Sequence, residues 1–399
     1  MTASPSQPPA PARDEAAEAS RQRWRWWPLL PLYPYGRRRT LVRELLPDRL
    51  WSFEQLQGVW YVAVPIRMSV LKLREGLMVY APVAVTAEVV EALRDLERRH
   101  GPVRTIVLPT ASGLEHKVPV PAMARAFPQA CVWVTPGQWS FPLSLPLAWL
   151  GFPPGRTRVL FDDGLPHADQ LDWLPLGPLD LGLGTFLEVA CHHRASGALL
   201  LTDALVSIPQ QPPAIFDLDP TPLLFHARDR GDEPLLDDCE RRRRGWRRLV
   251  LFASYLRPEP LDVPPLAEVL RDALAPGCRT PRCHFGLYPF RWRQGWELQA
   301  QALMPADPTP QVAAVLERLV FPRQRGALVQ WLRRMAALRE LRWLVPAHYE
   351  APVPISADQL NRLADDLEAR PWAPDGGGWR FLAGIDKTLV GLGLVPGPQ

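Results

Sequence analysis

The chain has 399 residues and a formal net charge of +4, and hydrophobic and charged residues make up 47% and 22% of it. These values are typical of a globular protein, and they exclude a disordered or fibrous chain. So small a net charge gives no general reason to expect a nucleic acid partner. The five cysteines are scattered, and no apolar stretch reaches the roughly 18 residues that span a bilayer. We therefore expect reduced thiols and a cytoplasmic protein without a transmembrane helix.

The N-terminal region divides into two segments. Residues 1–20 are rich in proline and small polar residues, which predicts a disordered tail. In residues 21–45, Trp24, Trp26 and Trp27 lie among arginines. This mixture is typical of membrane interfaces, because indole is amphipathic and arginine attracts anionic headgroups. The alternative is a strap whose tryptophans pack on the domain that follows.

Strands and helices alternate over residues 46–370, which predicts an α/β domain, and residues 371–399 form a C-terminal extension. Strand patterns begin at about residue 58, and the segments that show them later are CVWVTP, VLFDD, EVACHH, ALLLTD and WLVPAHY. The predicted helices are Thr86–Arg99, which ends at Gly101, and Pro121–Phe127, Arg325–Leu341 and Ser356–Arg370, the last opened by a capping box of Ser356 and Gln359.

Two insertions rich in proline interrupt the domain. Residues 141–155 are apolar and irregular, and we expect a lid, a loop that touches a membrane, or a buried strap. Residues 207–300 include the basic run Arg241–Arg244. This run is expected to contact phosphates or, in the alternative, to begin a solvated helix paired with the acidic residues just before it.

Common catalytic motifs are missing from the sequence. The chain has no phosphate-binding loop, no dinucleotide fingerprint and no nucleophile elbow. Cys278, Cys283 and His284 have a spacing typical of zinc ligands, but they provide only one side of a structural site, which needs four ligands.

One constellation of possible metal ligands joins three distant stretches. Glu115 and His116 follow a buried strand, whereas Asp203 and His348 each end another strand. Side chains at strand ends are held rigidly and point into a common cleft, where carboxylates and imidazoles suit a divalent cation.

The order of these residues resembles that of the metallo-β-lactamase superfamily, in which a strand precedes the motif THxHxDH and later strands end in Asp and His. Residues 110–116 read TASGLEH in this position, so Ala111 and Gly113 replace the first two histidines and Glu115 replaces the aspartate. The resemblance implies an αββα sandwich of two mixed sheets flanked by helices. It also implies that one of two metal sites is lost and that one zinc or other divalent ion is retained by His116, Asp203 and His348, with Glu115 as a ligand or base.

More narrowly, the chain resembles a family of cyanobacteria and chloroplasts, domain of unknown function 4336. The segments that show this are LPTASGLEHKVPV, PGQWSFPLSLPLAWLGFP, EVACHHRASGALLLTDALVSIPQQPPAI and PLLFHARD, and the similarity runs from about residue 45 to 350. It implies a fold and a lineage without supplying a reaction.

Two hypotheses about function follow. In the first, the degenerate site is vestigial, and the fold is a cytoplasmic binding or assembly module, peripheral to a thylakoid or other membrane, with a small molecule or protein as its partner. In the second, one ion activates water in a mononuclear hydrolase of an ester, amide or phosphoester. His193, His226 and Arg228 are then the candidate substrate-binding residues.

Overall fold

The computed structural model describes residues 12–24, 33–34, 36–59, 61–138, 143–182, 184–370 and 377–398. Predictions for residues 1–11, for Trp26 and Trp27 and for residues 139–142 lie outside these ranges. The strands are β1 Leu41–Leu46, β2 Leu50–Val59, β3 Val62–Leu73, β4 Gly76–Tyr80, β5 Val103–Leu108, β6 Cys131–Val134, β7 Thr157–Val159, β8 Leu171–Asp180, β9 Thr185–His193, β10 Ala198–Leu201, β11 Leu205–Val206, β12 Leu261–Asp262, β13 Arg291–Trp292, β14 Gln311–Val312, β15 Trp343–Pro346 and β16 Val353–Pro354.

The α-helices surround these strands and also fill the insertion at residues 207–300. They are α1 Ala12–Arg21, α2 Ala87–His100, α3 Leu114–Lys117, α4 Val120–Ala126, α5 Ile215–Leu218, α6 Thr221–Ala227, α7 Cys239–Tyr255, α8 Leu266–Ala273, α9 Trp296–Leu303, α10 Ala314–Leu319, α11 Arg325–Ala336, α12 Ala357–Ala369 and α13 Arg380–Gly391. None of the helices in the described ranges is long and apolar enough to cross a bilayer.

Two mixed sheets form the centre of the domain. The first has the strand order β1-β2-β3-β4-β5-β6-β7, antiparallel from β1 to β4 and parallel from β4 to β7. The second has the order β16-β15-β10-β9-β8, in which β10 and β15 are parallel and the other pairs are antiparallel.

Three apolar clusters show that the layers stack in the order helix, sheet, sheet, helix. One cluster joins the facing sides of the two sheets, with Tyr80 from the first and Val189 from the second. Another packs the outer side of the first sheet against α2 and α4, and a third packs the outer side of the second sheet against α11 and α12. The predicted αββα sandwich is confirmed, since each sheet buries one face on its partner and the other on helices.

Local signals set the ends of two helices as predicted. The Thr86 side chain accepts the N–H of Val89 at the start of α2, and the helix ends at Gly101, whose φ is 95°. Ser356 and Gln359 form the predicted capping box of α12. These side chains satisfy backbone groups that have no partner within the helix.

Other boundaries differ from the predictions. The predicted disordered tail is wrong for residues 12–20, which belong to α1, where Arg21 forms an ion pair with Glu91 of α2. The predicted strand VLFDD is also wrong: β7 ends at Val159, and a turn follows. Helix α11 ends at Ala336 rather than Leu341, since its last turn gives way to the connection into β15.

Part of the tryptophan-rich segment packs on the domain. Trp24 is buried under the guanidinium of Arg38, whose carbon lies 4.3 Å from the ring centroid. The backbone N–H of Trp24 donates to the carbonyl of Gly36. Trp24 therefore packs on the domain.

The basic run in the second insertion begins a paired helix. Asp238 caps α7 by accepting the N–H of Arg241, and Arg242 pairs with Asp237 at 2.6 Å. Arg244 pairs with Asp229 at 2.5 Å. The structure therefore agrees with the interpretation of a solvated helix start.

Candidate metal centre

Strand ends from both sheets bring the predicted ligands together. Glu115 and His116 lie in α3, in the connection that leaves β5 of the first sheet. Asp203 follows β10 and His348 follows β15, and because these two strands are parallel, their carboxyl ends meet at one edge of the second sheet. Two isolated bridges, from Thr110 to Glu188 and from Ile66 to His348, join the sheets at this edge.

The distances describe a compact cluster. One potential ligand atom from each of Glu115, His116 and His348 lies within 4.8 Å of the others. Asp203 adjoins the cluster, since its Oδ1 lies 3.2 Å from Nε2 of His348. The structure thus brings together the four residues that the sequence proposed as ligands or base.

Backbone carbonyls orient both imidazoles. Nδ1 of His116 lies 3.1 Å from the carbonyl oxygen of Pro82, and Nδ1 of His348 lies 3.0 Å from that of Pro65. Because a carbonyl oxygen only accepts, each Nδ1 must donate its proton, which leaves Nε2 as the atom available to a metal. Nε2 of His116 is buried without a hydrogen-bond partner.

Asp203 and His348 form an ion pair. Burial disfavours the carboxylate of Asp203, but the hydrogen bond and positive charge of His348 outweigh burial and hold the pKa of Asp203 below its usual value. Burial likewise disfavours the imidazolium of His348, and Asp203 outweighs that effect and raises the pKa of His348. Each side chain therefore favours the charged form of the other.

Glu188, which the sequence analysis did not propose, supports the turn that contains Asp203. Its buried carboxylate accepts the backbone N–H groups of Thr202, Asp203 and Ala204 at 2.6, 3.1 and 2.8 Å. Burial and the nearby charge of Asp203 raise the pKa of Glu188 to about 7. The sequence contains one indication of this role, a single acid between apolar residues of a strand, because a buried carboxylate requires partners.

Ala111 and Gly113 occupy the positions at which the family resemblance predicts two further histidines. Ala111 is buried, and its carbonyl accepts a hydrogen bond from Nζ of Lys117 at 2.6 Å. A Cβ added to Gly113 would lie 2.9 Å from Cγ2 of Thr110 and 3.0 Å from Oε1 of Glu115. The Glu115 carboxylate therefore lies against the space that a side chain at residue 113 would need.

His193, which was predicted to contact substrate, lies at the opposite end of β10 from Asp203. It pairs with Ala198 at the beginning of β10, whereas Asp203 follows the end of that strand. Its Nδ1 lies 2.8 Å from Oγ of Ser196, and burial lowers the pKa of His193 to about 4. Alternation along β9 places the side chains of His192 and His193 on opposite faces, but it does not indicate which end of the sheet they occupy.

His226 and Arg228, which were also predicted to contact substrate, are both buried within the insertion. The ring of His226 lies 5.1 Å from that of Phe252 and 5.6 Å from that of Phe290, measured between centroids. The guanidinium of Arg228 stacks on Tyr288 at 4.8 Å and donates to the carbonyl of Gly231. Aromatic packing and backbone hydrogen bonds account for these positions.

A cavity of about 230 Å³ opens beside Asp203 and His348. The other residues that line it are Val64, Val206, Ile208, Ala253, Ser254, Leu303, Gln311, Val312, Ala313, Ala314, Val315, Leu316 and Tyr349. A small group bound there would lie against one side of the candidate metal centre.

Solved structures similar to this chain are metallo-β-lactamases. FIM-1 from Pseudomonas aeruginosa, in its mono-zinc form, is 10% identical with a TM-score of 0.37, and the match covers 83% of this chain and 97% of that one. The enzymes from Pontibacter korlensis and Hirschia baltica are each 11% identical, with TM-scores of 0.36 and 0.35; each match covers 82% of this chain, and 100% and 97% of theirs. At such low scores the fold is defined by the layers described above and not by these superpositions.

No curated protein matches the chain significantly. A family model does match: the domain of unknown function DUF4336 covers residues 47–365. This range includes both sheets, the helices that flank them and all four residues of the candidate metal centre. The chain therefore belongs to the DUF4336 family.

Proposed function

We propose that this protein binds one divalent metal ion through His116, His348 and Asp203 and acts as a mononuclear hydrolase. The observation that best supports the proposal is the state of His116. Its tautomer is fixed by Pro82, and its Nε2 is buried without a partner, in a cluster whose other potential ligands are Glu115 and His348. A buried polar atom without a partner is costly, and a metal ion would remove that cost.

The set of donors fits a borderline cation such as zinc. Two imidazoles and a carboxylate are three protein ligands, which is the number that catalytic zinc sites use while keeping one position open. Such an ion supplies a Lewis acid and lowers the pKa of a bound water. Pro82 and Pro65 orient the imidazoles, Glu188 holds the turn of Asp203, and Glu115 is placed to accept a proton at its carboxylate.

Metal analysis of the reconstituted protein tests this proposal. The parent protein, equilibrated with zinc and then desalted, should retain about one ion per chain, and His116→Ala and His348→Ala should lose it. His100→Ala is a matched control, since His100 stacks on Trp51 away from the cluster and its loss should leave the metal content unchanged. A parent protein that retains no zinc, manganese or cobalt would overturn the proposal.

A second candidate function is a binding or assembly module without a metal. It is favoured by the ion pair of His348 and Asp203, which satisfies both groups without an ion, and by the filled positions of Ala111 and Gly113. In this candidate the protein is cytoplasmic and peripheral to a photosynthetic membrane. Trp149, which is 77% exposed in the apolar insertion, and Leu143, which is 68% exposed, would make the contact.

Sedimentation with anionic lipid vesicles tests the second candidate. Replacing both Trp149 and Leu143 by serine should reduce the bound fraction severalfold, because these side chains would enter the interface. Leu298→Ser is the control, since Leu298 is 71% exposed on α9. Binding that is absent in the parent, or unchanged in the double variant, would exclude this surface as the anchor.

A further inference from the structure

The cavity beside Asp203 and His348 differs in character from the site next to it. Its walls are mainly aliphatic, and they come from β11, the loop after it, α7 and the segment Gln311–Leu316. Tyr349 forms part of the wall, and burial raises the pKa of its hydroxyl. Apolar walls favour an apolar group by removing its surface from water.

The charge of the lining restricts the ligand further. Asp203 contributes a carboxylate, and none of the described residues that line the cavity is Lys or Arg. The imidazole of His348, which also lines it, is held by the Pro65 carbonyl at Nδ1 and by Asp203 at Nε2. The side chain of Gln311 is already engaged, because its Nε2 donates to the carbonyl of Leu303 at 2.8 Å. A carboxylate or phosphate placed here would lose its hydration beside the carboxylate of Asp203, and the described lining offers no unengaged cationic side chain to compensate it.

The volume sets an upper limit on size. Pockets for drug-sized ligands begin at roughly 300 Å³, and this cavity has about 230 Å³. It therefore suits one short chain of a substrate rather than a whole large molecule. The chain would extend away from Asp203 and His348, so that its polar end lies at the candidate metal centre.

We infer that the cavity binds the short aliphatic acyl chain of a neutral carboxylic ester. This inference rests on the proposed function, since it names the substrate class of the same site. In the reaction, water forms the new bond to the acyl carbon, and the bond from that carbon to the alcohol oxygen breaks. The alcohol oxygen takes one proton of the water, so that a carboxylic acid and an alcohol are released.

Ligand binding to the metal-free protein tests the cavity separately from the chemistry. Aliphatic amides from acetamide to hexanamide should bind about three- to fourfold tighter for each added methylene, as measured by calorimetry. Hexanoate should bind at least about tenfold more weakly than hexanamide, because the two have the same chain length but hexanoate carries a negative charge. Equal binding of the two, or no gain with chain length, would overturn the inference.

Two variants change the cavity in opposite directions. Ala314→Phe should fill it and abolish the gain with chain length, whereas Ile208→Ala should enlarge it and move the preference to longer chains. Ala87→Phe, at an exposed position at the start of α2, is the matched control and should behave like the parent. Unaltered chain-length dependence in both cavity variants would place the binding elsewhere and overturn the inference.

Cleavage of nitrophenyl substrates by the zinc-loaded protein completes the test. The hexanoate ester should be cleaved with a kcat/KM at least about tenfold above that of the acetate ester, and the phosphate monoester should not be cleaved. Faster cleavage of the phosphate would overturn the inference. By contrast, a protein that takes up no metal yet keeps the chain-length dependence for amides contradicts the proposed function and supports the cavity.

Discussion

The buried carboxylate of Glu188 accepts the backbone N–H of Asp203 at 3.1 Å, so a residue in the middle of β9 fixes a candidate ligand at the end of β10. The same carboxylate accepts two further N–H groups from this turn. Asp203 in turn pairs with His348. The position of the ion pair therefore depends on a residue that would not itself bind the metal.

Replacing Glu188 by Gln should lower both stability and metal affinity. The amide nitrogen of Gln cannot accept, so at least one N–H of the turn loses its partner, which costs about 1–3 kcal/mol. Urea denaturation measures the free energy of unfolding, and zinc titration measures the affinity. Glu97→Gln is the control, because Glu97 accepts the N–H of Val103 at 2.8 Å far from the site. If both variants lost stability but kept full zinc affinity, Glu188 would have no positioning role.

Arg67 should be essential to the connection between His348 and the first sheet. It is fully buried, pairs with Glu54 at 3.1 Å, and donates to the carbonyls of Tyr349, at 2.6 Å, and of Pro346. Arg67→Met should destabilise the fold by about 3–5 kcal/mol, because it leaves a buried charge and two carbonyls without this partner.

The double variant Glu54→Gln with Arg67→Met distinguishes the charge effect from lost packing. The double variant should be more stable than Arg67→Met alone, because the uncompensated carboxylate is gone. The recovery should be partial, because Arg43 also pairs with Glu54 in the parent. Thermal and urea denaturation measure this recovery. Equal stability of the single variant and the parent would contradict the role assigned to Arg67.

Gly113→Ala should displace Glu115 without unfolding the protein. The added methyl would meet Thr110 and Oε1 of Glu115 at about 3 Å, and the carboxylate is the end of a flexible side chain that can move. Zinc affinity or hydrolysis should fall severalfold, whereas the melting temperature should change little. Gly326→Ala is the matched control, because a Cβ there meets nothing within 4 Å. Identical behaviour of the two variants would exclude Glu115 from the site.

His193 should make the fold sensitive to acid. Burial, aided by the positive charge of Arg49, lowers the pKa of His193 from 6.5 to about 4. Between these two pH values the unfolded chain is protonated at this residue and the folded protein is not. Stability from this group is complete above pH 6.5 and decreases as the pH falls from 6.5 to about 4, by roughly 2–3 kcal/mol in all.

His193→Gln tests this effect by denaturation at several pH values. The variant should lose less stability than the parent between pH 7 and pH 4.5. Ser196→Ala removes the hydrogen-bond partner of His193 but keeps the buried imidazole, so it should remain sensitive to acid. A parent and a Gln variant with parallel pH profiles would show that the imidazole is already solvated.

The elements that could be predicted from the sequence are those with strong local signals. Helices α2 and α12 combine apolar periodicity with caps at Thr86 and Ser356. Strand β2 was missed because it buries polar residues, among them Glu54 and Gln55, whose partners come from distant segments. Strand β8 was missed because of its prolines, and it lies at the edge of its sheet, where proline is tolerated.

In the candidate site, too, residues with local sequence signals were predicted, whereas a residue whose partners lie far away in the chain was not. Glu115, His116, Asp203 and His348 were predicted because strand ends are visible in the sequence and one edge of the sandwich collects them. Glu188 was not, because its partners are backbone groups of another strand's turn. His193, His226 and Arg228 were proposed as substrate-binding residues, because a sequence shows which residues are polar but not where a strand or an insertion places them.

The four candidate ligands belong to different layers of the sandwich: Glu115 and His116 to the first sheet, and Asp203 and His348 to the second. An ion bound by His116, Asp203 and His348 would act as a cross-link between the layers, because neither sheet alone supplies all three ligands. Sliding or separation of the sheets would then release the ion. Zinc should consequently raise the barrier to unfolding and slow local opening of the interface between the sheets, and hydrogen exchange at β10 and β15 would detect that effect.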